Sequence, residues 1–118
     1  MPTYSRVLLS ASTNGKNVAV AGTTITSTTT IHTALTGTTG FDEVYAWASN
    51  ISSAAATLSL CFGNTTSADH ICSSLSLPAN SPPIPIITGQ VLQNSLIVSA
   101  YSGTANAINL SGFANRIS

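Results

Sequence analysis

Residues 57–66, Thr-Leu-Ser-Leu-Cys-Phe-Gly-Asn-Thr-Thr, decide the fold class of this chain. In this segment Leu58, Leu60 and Phe62 alternate with hydroxyl and thiol side chains, and a Gly-Asn pair follows at once. Successive side chains of a strand point to opposite faces of its sheet, so this alternation predicts a strand with one face on a core. The Gly-Asn pair predicts a turn directly after the strand.

The same pattern of short alternating runs and turn residues extends along the whole chain, and no segment has the spacing of an amphipathic helix. Turns are predicted at 13–16, 36–40, 63–66, 78–83, 89–90 and 102–104. Strands are predicted at 4–11, 17–23, 29–35, 42–50, 55–62, 70–77, 84–88, 95–101 and 107–114. We therefore expect one all-β domain over residues 1–118, an antiparallel β-sandwich of about 8–9 short strands. Jelly-roll and immunoglobulin-like topologies both fit this count.

The charge content is unusually low. Three basic and three acidic residues make up 5% of the chain and cancel to a net charge of zero, against about 25% in an average soluble domain. Such a surface resists self-association weakly. We favour the interpretation that neighbouring molecules cover much of the surface. The alternative is a secreted, Ser/Thr-rich domain that tolerates low charge.

The distribution of charged and apolar residues argues against two classes of partner. Three scattered cations form no patch for phosphates, so direct binding of nucleic acid is not expected. The longest apolar runs, such as 84–87, fall far short of the roughly 20 residues that span a bilayer, so no membrane role is expected. The apolar run 7–9 is too short for a signal peptide, which predicts synthesis in the cytosol.

Two cysteines, Cys61 and Cys72, flank a short polar segment. Their spacing matches no CxxC or zinc pattern, so no metal site is predicted. A hairpin about Ser67 leaves two alternatives, a cross-strand disulfide and a pair of buried thiols. The thiols are favoured, because the cytosol keeps cysteines reduced.

The chain shows no arrangement typical of catalysis, and we expect neither an enzyme nor a cofactor. His32 is interpreted as a strand residue on a polar face. Asp42 and Glu43 are adjacent in a strand, so their carboxylates point to opposite faces and cannot act as a pair. No GxSxG motif is present. Asp69 beside His70 is the only local acid–base candidate.

The residues best suited to recognition lie in three places. In the predicted strand 42–50, Tyr45 and Trp47 share one face, and Trp47 is interpreted as a core anchor rather than an interface residue. Near the two ends, Arg6 and Arg116 form a small basic spot if the first and last strands are neighbours, and we favour a solvated state for it. The proline-rich segment 78–85 is predicted to be a stiff, exposed connection. The interface candidates are Tyr4, Arg6, Tyr45, Trp47, Pro82, Pro83, Ile84 and Arg116.

Several segments together resemble head decoration proteins, also called capsid cement proteins, of tailed bacteriophages. The resemblance extends over nearly the whole chain. It consists of similar residue patterns, none of which is a chemically diagnostic motif. The segments are Arg6-Val7-Leu8-Leu9-Ser10 with the following Ser-Thr-Asn-Gly turn, Thr30-Ile31-His32-Thr33-Ala34, Phe41-Asp42-Glu43-Val44, Val91-Leu92-Gln93-Asn94 and Gly112-Phe113-Ala114-Asn115-Arg116-Ile117.

The resemblance implies a β-sandwich on the outer surface of the virion capsid, made in the host cytoplasm, that stabilises the shell across capsomer seams. Its implied partners are the major capsid protein and copies of itself, with a trimer favoured and a dimer as the alternative. The chain lacks the long charged or Pro-rich arm of some cement proteins, so docking would use the domain surface or the short extension 2–4.

Three rival functions remain open from the sequence. The first is another virion component, such as a tail or fibre part. The second is a carbohydrate-binding module of the β-sandwich type, which would hold Tyr45, Trp47 and Tyr101 together in solvent. The third is an enzyme built on Asp69 and His70.

Overall fold

The computed structural model describes residues 3–118, so Pro2 of the predicted docking extension lies outside the described residues. All regular structure in this range is β-strand except for one 3-10 turn, Ser67–Asp69. The strands are β1 Tyr4–Leu8, β2 Val18–Ala19, β3 Thr29–Thr33, β4 Phe41–Asn50, β5 Ala56–Gly63, β6 His70–Leu77, β7 Ile84–Leu92, β8 Ile97–Ser102 and β9 Ile108–Ile117.

The strands form two antiparallel sheets. The first has the order β1-β9-β4-β7, with β2 pairing β9 beyond the end of β1, and the second has the order β3-β8-β5-β6. Along most of the chain, consecutive strands lie in opposite sheets, and only β5 and β6 pair as a hairpin. When β1 and β2 are counted as one interrupted strand, this is the order of a jelly roll. The predicted β-sandwich is confirmed, and the jelly roll is the alternative that the topology selects.

The core fills the space between the sheets. Every second residue of β4, from Asp42 to Asn50, is buried, and the residues between them are only partly covered. The other inner faces supply branched aliphatic side chains, which interdigitate across the roughly 10 Å between packed sheets. The largest fully buried ones are Leu9, Ile31, Leu58, Leu60, Leu77, Ile87, Ile108 and Leu110.

Nine strands occur where nine were predicted, although β2 is reduced to two residues. The turn predicted at 89–90 is wrong, because β7 continues through it to Leu92. Gly89 has a φ of 100° and lies where the pairing of β7 with β4 shifts between Val44 and Tyr45. The glycine therefore forms a β-bulge in an edge strand, and a bulge uses the same left-handed conformation as a turn.

Two tight turns have the same geometry but differ in sequence. At 13–16, Asn14 and Gly15 both have positive φ, and Lys16 N–H donates to the Thr13 carbonyl. Between β7 and β8, Asn94 and Ser95 have φ of 61° and 59°, and Leu96 N–H donates to the Gln93 carbonyl. These are type I′ turns, which favour Asn-Gly. Ser95 is therefore the less suitable residue at its position.

We expect Ser95→Gly to stabilise the protein by about 1 kcal/mol, because glycine adopts the left-handed conformation without steric cost. Urea unfolding of the variant and the parent measures the difference. Ser76→Gly is the matched control, since Ser76 is an exposed serine of β6 and glycine there should cost about 0.5 kcal/mol. Equal destabilisation by both changes would contradict the assignment.

Candidate functional site

The pairing of β1, β9 and β4 brings alternate residues of the three strands onto the outer surface of the first sheet. Directly opposed residues in antiparallel strands share a face, so the registers define rows that run across the strands. We call this surface the outer face. Its rows are Tyr4, Ile117 and Phe41; Arg6, Asn115 and Glu43; Leu8, Phe113 and Tyr45; and Ser111, Trp47 and Pro85.

Aromatic rings form the middle of the outer face. The rings of Tyr45 and Phe113 stack with centroids 5.1 Å apart, and Trp47 lies 6.1 Å from Phe113. The Arg6 guanidinium lies 4.4 Å from the centroid of the Phe113 ring, a distance at which the ring attracts a cation. The expectation that Trp47 anchors the core is wrong. The buried side of β4 carries Val44, Ala46 and Ala48, whereas Trp47 is on the opposite side and only partly covered.

The outer face is apolar and open. Tyr4 is 72% exposed and Leu8 is 53% exposed. Val91 of β7, which pairs Glu43 from the other side, is also 53% exposed. Large apolar side chains are thus left in water beside one another, although each would gain free energy on burial.

One polar row crosses this surface, formed by Arg6, Asn115 and Glu43. Tyr45 Oη donates a hydrogen bond to Glu43 Oε1 at 3.0 Å, and Asn115 Nδ2 donates to the same oxygen at 3.3 Å. The hydrogen bond to the Glu43 carboxylate raises the pKa of Tyr45. An open depression of about 570 Å³ beside this row is lined by Tyr4, Ser5, Arg6, Glu43, Asn115, Arg116 and Ile117. The row therefore offers a cation and an anion to whatever covers the face.

A second charged group lies inside the sandwich, where it links the two sheets. Arg116 Nε lies 2.8 Å from Asp42 Oδ1, and Arg116 Nη2 lies 2.9 Å from Asp42 Oδ2. His32 Nε2 lies 2.7 Å from Asp42 Oδ2. His32 and Asp42 are 1% and 0% exposed. The expectation of a polar strand face for His32 is therefore wrong, and Arg116, whose side chain is 32% exposed, pairs with Asp42 instead of forming a basic spot with Arg6.

The protonation of this group follows from its hydrogen bonds. The backbone N–H of Ser10 donates to His32 Nδ1 at 3.0 Å, so that nitrogen is an acceptor and the proton lies on Nε2, facing Asp42. Burial acts to raise the pKa of Asp42. The hydrogen bonds from Arg116 and His32, together with the charge of Arg116, outweigh burial and hold that pKa below its ordinary value of 3.8.

Ser10, His32 and Asp42 also form a chain of contacts, because Ser10 Oγ lies 3.0 Å from His32 Nδ1. The geometry is nevertheless unlike an activated serine. The Nδ1 lone pair already accepts the Ser10 backbone N–H. Ser10 Oγ accepts from Thr33 N–H and lies 3.2 Å from the Thr33 carbonyl, so backbone bonds hold it on both sides. The arrangement fastens the β1–β2 connection to β3.

The remaining acid–base candidate lies at the end of the second sheet. Asp69 accepts hydrogen bonds from the backbone and hydroxyl of Thr66, which lower its pKa. His70 contacts Tyr101 Oη through Nε2 at 2.6 Å and the Ser67 carbonyl through Nδ1 at 2.9 Å. The two neighbours in sequence are therefore engaged with different partners.

The cysteines are free thiols, as favoured from the sequence. Cys72 pairs Leu60 in the β5–β6 ladder, whereas Cys61 pairs His70, so the two side chains are not opposed. Burial raises the pKa of both thiols.

The structure brings half of the predicted interface residues together. Tyr4, Arg6, Tyr45 and Trp47 share the outer face, and the first and last strands are neighbours, since β1 pairs β9. Arg116 turns inward. The other candidates lie at the beginning of β7, where Pro82 and Pro83 are exposed and Ile84 packs partly against the core. Sequence reasoning did not select Leu8, Phe41, Phe113 and Asn115; the alternation of β9 together with its pairing to β1 and β4 would have identified them.

We expect Asp42→Asn to destabilise the fold by about 3 kcal/mol, because the fully buried position loses the carboxylate that accepts from both Arg116 and the buried His32, and an amide NH₂ takes the place of one acceptor oxygen. Glu43→Gln is the matched control. It is the adjacent carboxylate, on the outer face, and its amide oxygen can still accept from Tyr45, so a change below about 0.5 kcal/mol is expected. Urea unfolding measures both. Similar losses for the two variants would contradict the structural role of Asp42.

The lowered pKa of Asp42 also predicts a pH dependence. In the unfolded chain this carboxyl binds its proton at higher pH than in the folded chain, so acidification favours unfolding. The stabilising contribution should be complete above about pH 5 and should fall as the pH drops below 4. The difference in unfolding free energy between the parent and Asp42→Asn, measured from pH 6 to pH 2.5, should shrink in this window. A constant difference would refute the assignment.

Among residues 3–118, no three or more His, Cys, Asp or Glu side chains are grouped so that they could hold a metal ion. Nor does this part of the chain contain a helix with the length and hydropathy needed to cross a membrane. Comparison of the chain with protein-family models, with curated proteins and with solved structures finds no match. The geometry of the outer face therefore carries the functional argument.

Proposed function

We propose that this chain is a structural virion protein that decorates and stabilises the outside of a bacteriophage capsid by binding across capsomer seams. The observation that carries the proposal is the outer face, an aromatic and apolar sheet surface that a single copy leaves open. The sequence resemblance to decoration proteins supplies the virion context.

An exposed apolar face of this kind is unusual for a protein that works alone. Soluble monomers rarely leave contiguous apolar patches of more than a few hundred Å² in water, and larger patches mark interaction sites. Here the whole chain has six charged residues, and the described face has only Arg6 and Glu43. With so little charge to keep molecules apart, coverage by protein is the state that the surface favours.

The architecture suits a mechanical role. The first sheet presents a broad surface whose residues lie on paired strands, so its shape changes little when a partner docks. Many weak contacts repeated over a shell add up to a large resistance against expansion or loss of subunits. Jelly rolls occur in viral capsid proteins and also in lectins, so the fold is compatible with the proposal without specifying it.

The proposal names the major capsid protein and further copies of this chain as partners. It includes no direct contact with nucleic acid or membrane, no enzymatic activity and no cofactor. The low charge supports this choice, because phosphate-rich surfaces recruit proteins through clustered Lys and Arg.

A carbohydrate-binding module is the second candidate, since Tyr45 and Trp47 do share one outward face. A carbohydrate-binding module is expected to hold Tyr101 beside these two residues. Tyr101 instead lies in β8 of the other sheet, next to His70. Both Tyr45 and Trp47 are also partly covered by packing with Phe113. An open aromatic platform for sugar rings is therefore only partly formed, which favours the decoration role.

The copy number of the chain in purified virions tests the proposal. We expect hundreds of copies per particle, and particles that lack the chain should lose DNA at lower temperature than complete ones. Adding the purified protein back to such particles should restore their stability. A handful of copies, or none, would leave the tail or fibre component and the binding module as the functions to pursue.

A further inference from the structure

We propose that a second copy of this chain covers the outer face, packed face to face about a two-fold axis that runs along β9. The inference rests on the proposed function and deepens it by naming the surface through which copies associate. Four features support it: the row geometry, the charges, the apolar rows and the size of the face.

The row geometry is symmetric about β9. This strand lies between β1 and β4, so each of the first three rows has one residue from each strand with the β9 residue in the middle. A half-turn about an axis along β9 turns the face over and exchanges the β1 side with the β4 side. Each row then meets the same row of the partner. If the axis is tilted by roughly 15° from β9 within the plane of the interface, the strands of the two copies cross at ~30°, because the half-turn doubles the tilt. This is the angle at which twisted sheets pack.

The charges of the face complement themselves under this operation. Arg6 and Glu43 lie on either side of Asn115, two strand spacings or about 10 Å apart, and in the described chain they form no ion pair with each other. The half-turn places Arg6 opposite the partner's Glu43, and Glu43 opposite the partner's Arg6. Two equivalent ion pairs result, and no like charges meet.

The other charged residues do not disturb this arrangement. Asp42 is fully buried and neutralises Arg116, which pairs with it from the inner side of the same sheet. Lys16 lies in the β1–β2 connection, and Asp69 ends the 3-10 turn before β6. Within residues 3–118, the outer face therefore has one cation and one anion, which is the smallest set that a two-fold contact can neutralise.

The apolar rows also meet apolar rows. Tyr4 comes opposite the partner's Phe41, Leu8 comes opposite the partner's Tyr45, and Phe113 and Ile117 lie near the axis against their own counterparts. Aromatic and aliphatic side chains that are exposed in one copy thus cover one another. This contact is rich in the aromatic residues that dominate interface energetics.

The size of the face predicts a small, weak and reversible interface. Under this operation only β1, β9 and β4 overlap the partner, because β7 lies beyond the partner's β1. With β1 five residues long and β9 ten, the overlapping footprint is roughly 300 Å² in each copy, before the relief of the side chains is counted. Stable interfaces bury about 800 Å² of accessible surface per partner. A face-to-face contact is isologous and closes at two copies, whereas a trimer needs two different surfaces. The dimer, rather than the trimer favoured by resemblance, is what this face can build.

A charge swap tests the inference. Sedimentation equilibrium of the full chain should show a reversible dimer, which Arg6→Glu and Glu43→Arg should each weaken at least tenfold. Each change replaces two attractions with two repulsions. The double variant exchanges the charges but keeps every pair opposite, so its dissociation constant should return to within about threefold of the parent. Ser76→Glu, which adds a charge at an exposed position of β6 in the second sheet, is the control and should leave association unchanged.

Three results would overturn the inference: a parent that stays monomeric at about 100 μM, a double variant as weak as the single ones, or a Ser76→Glu effect equal to that of Arg6→Glu. Thermal unfolding of each variant establishes that the compared proteins are folded. A monomer that still occupies virions in hundreds of copies would assign the face to the shell and leave the decoration role intact. A dimer that obeys the charge swap but is absent from virions would support this inference and remove the decoration role.

Discussion

The continuous pairing of β4 with β9 is the constraint on which the rest of this structure depends. Ten residues of each strand pair without interruption, from Phe41 opposite Ile117 to Asn50 opposite Ile108. This ladder determines which side chains enter the core and which form the outer face. It also needs Gly112, because a Cβ at that position would collide with the Tyr45 carbonyl oxygen. A slip of one residue would exchange the two faces of β9.

The buried ion pair reinforces this register. Asp42 and Arg116 are directly opposite each other in the ladder, and their bidentate contact forms on the inner side of the sheet. A buried carboxylate without a partner is costly, so any register that removed Arg116 would leave Asp42 destabilising the fold. His32 adds a contact from β3, which belongs to the other sheet. The polar group thus specifies the alignment of β4 and β9 and the position of one sheet on the other.

The period-two pattern was sufficient to predict the strands but not to assign the faces of β4. Both faces of this strand are apolar, with Val44, Ala46 and Ala48 on one side and Tyr45 and Trp47 on the other. Alternation groups residues by face, yet only the opposite sheet decides which group is inside. The small residues face inward, and the larger aromatic ones are left outside. For the same reason, the sequence predicts that Tyr45 and Trp47 share a face but not that this face lies on the outside of the sandwich.

The burial of His32 had a different cause, which alternation cannot reveal. The pairing of β3 with β8 shifts between Thr30 and His32, and as a result Ile31 and His32 are both buried although they are adjacent. A β-bulge inserts one residue and changes the phase of the side chains beyond it. The chain has no glycine or proline at this point to signal the shift. The acceptor role of Nδ1 depends on a backbone N–H 22 residues away, a contact that only the tertiary fold creates.

The two sheets divide the surface of the protein into unlike regions. The exposed residues of the second sheet include Thr57, Ser73 and Ser76, which are small and carry hydroxyl groups. The outward residues of the first sheet are aromatic or branched. If two copies close on the first sheet, the pair presents its hydroxyl-rich sheets in opposite directions. The exposed apolar residues Ile71 and Leu75 then lie on β6, an edge strand of each copy. An edge strand offers unpaired backbone groups as well as side chains, so a pair of this form would expose two equivalent β6 edges.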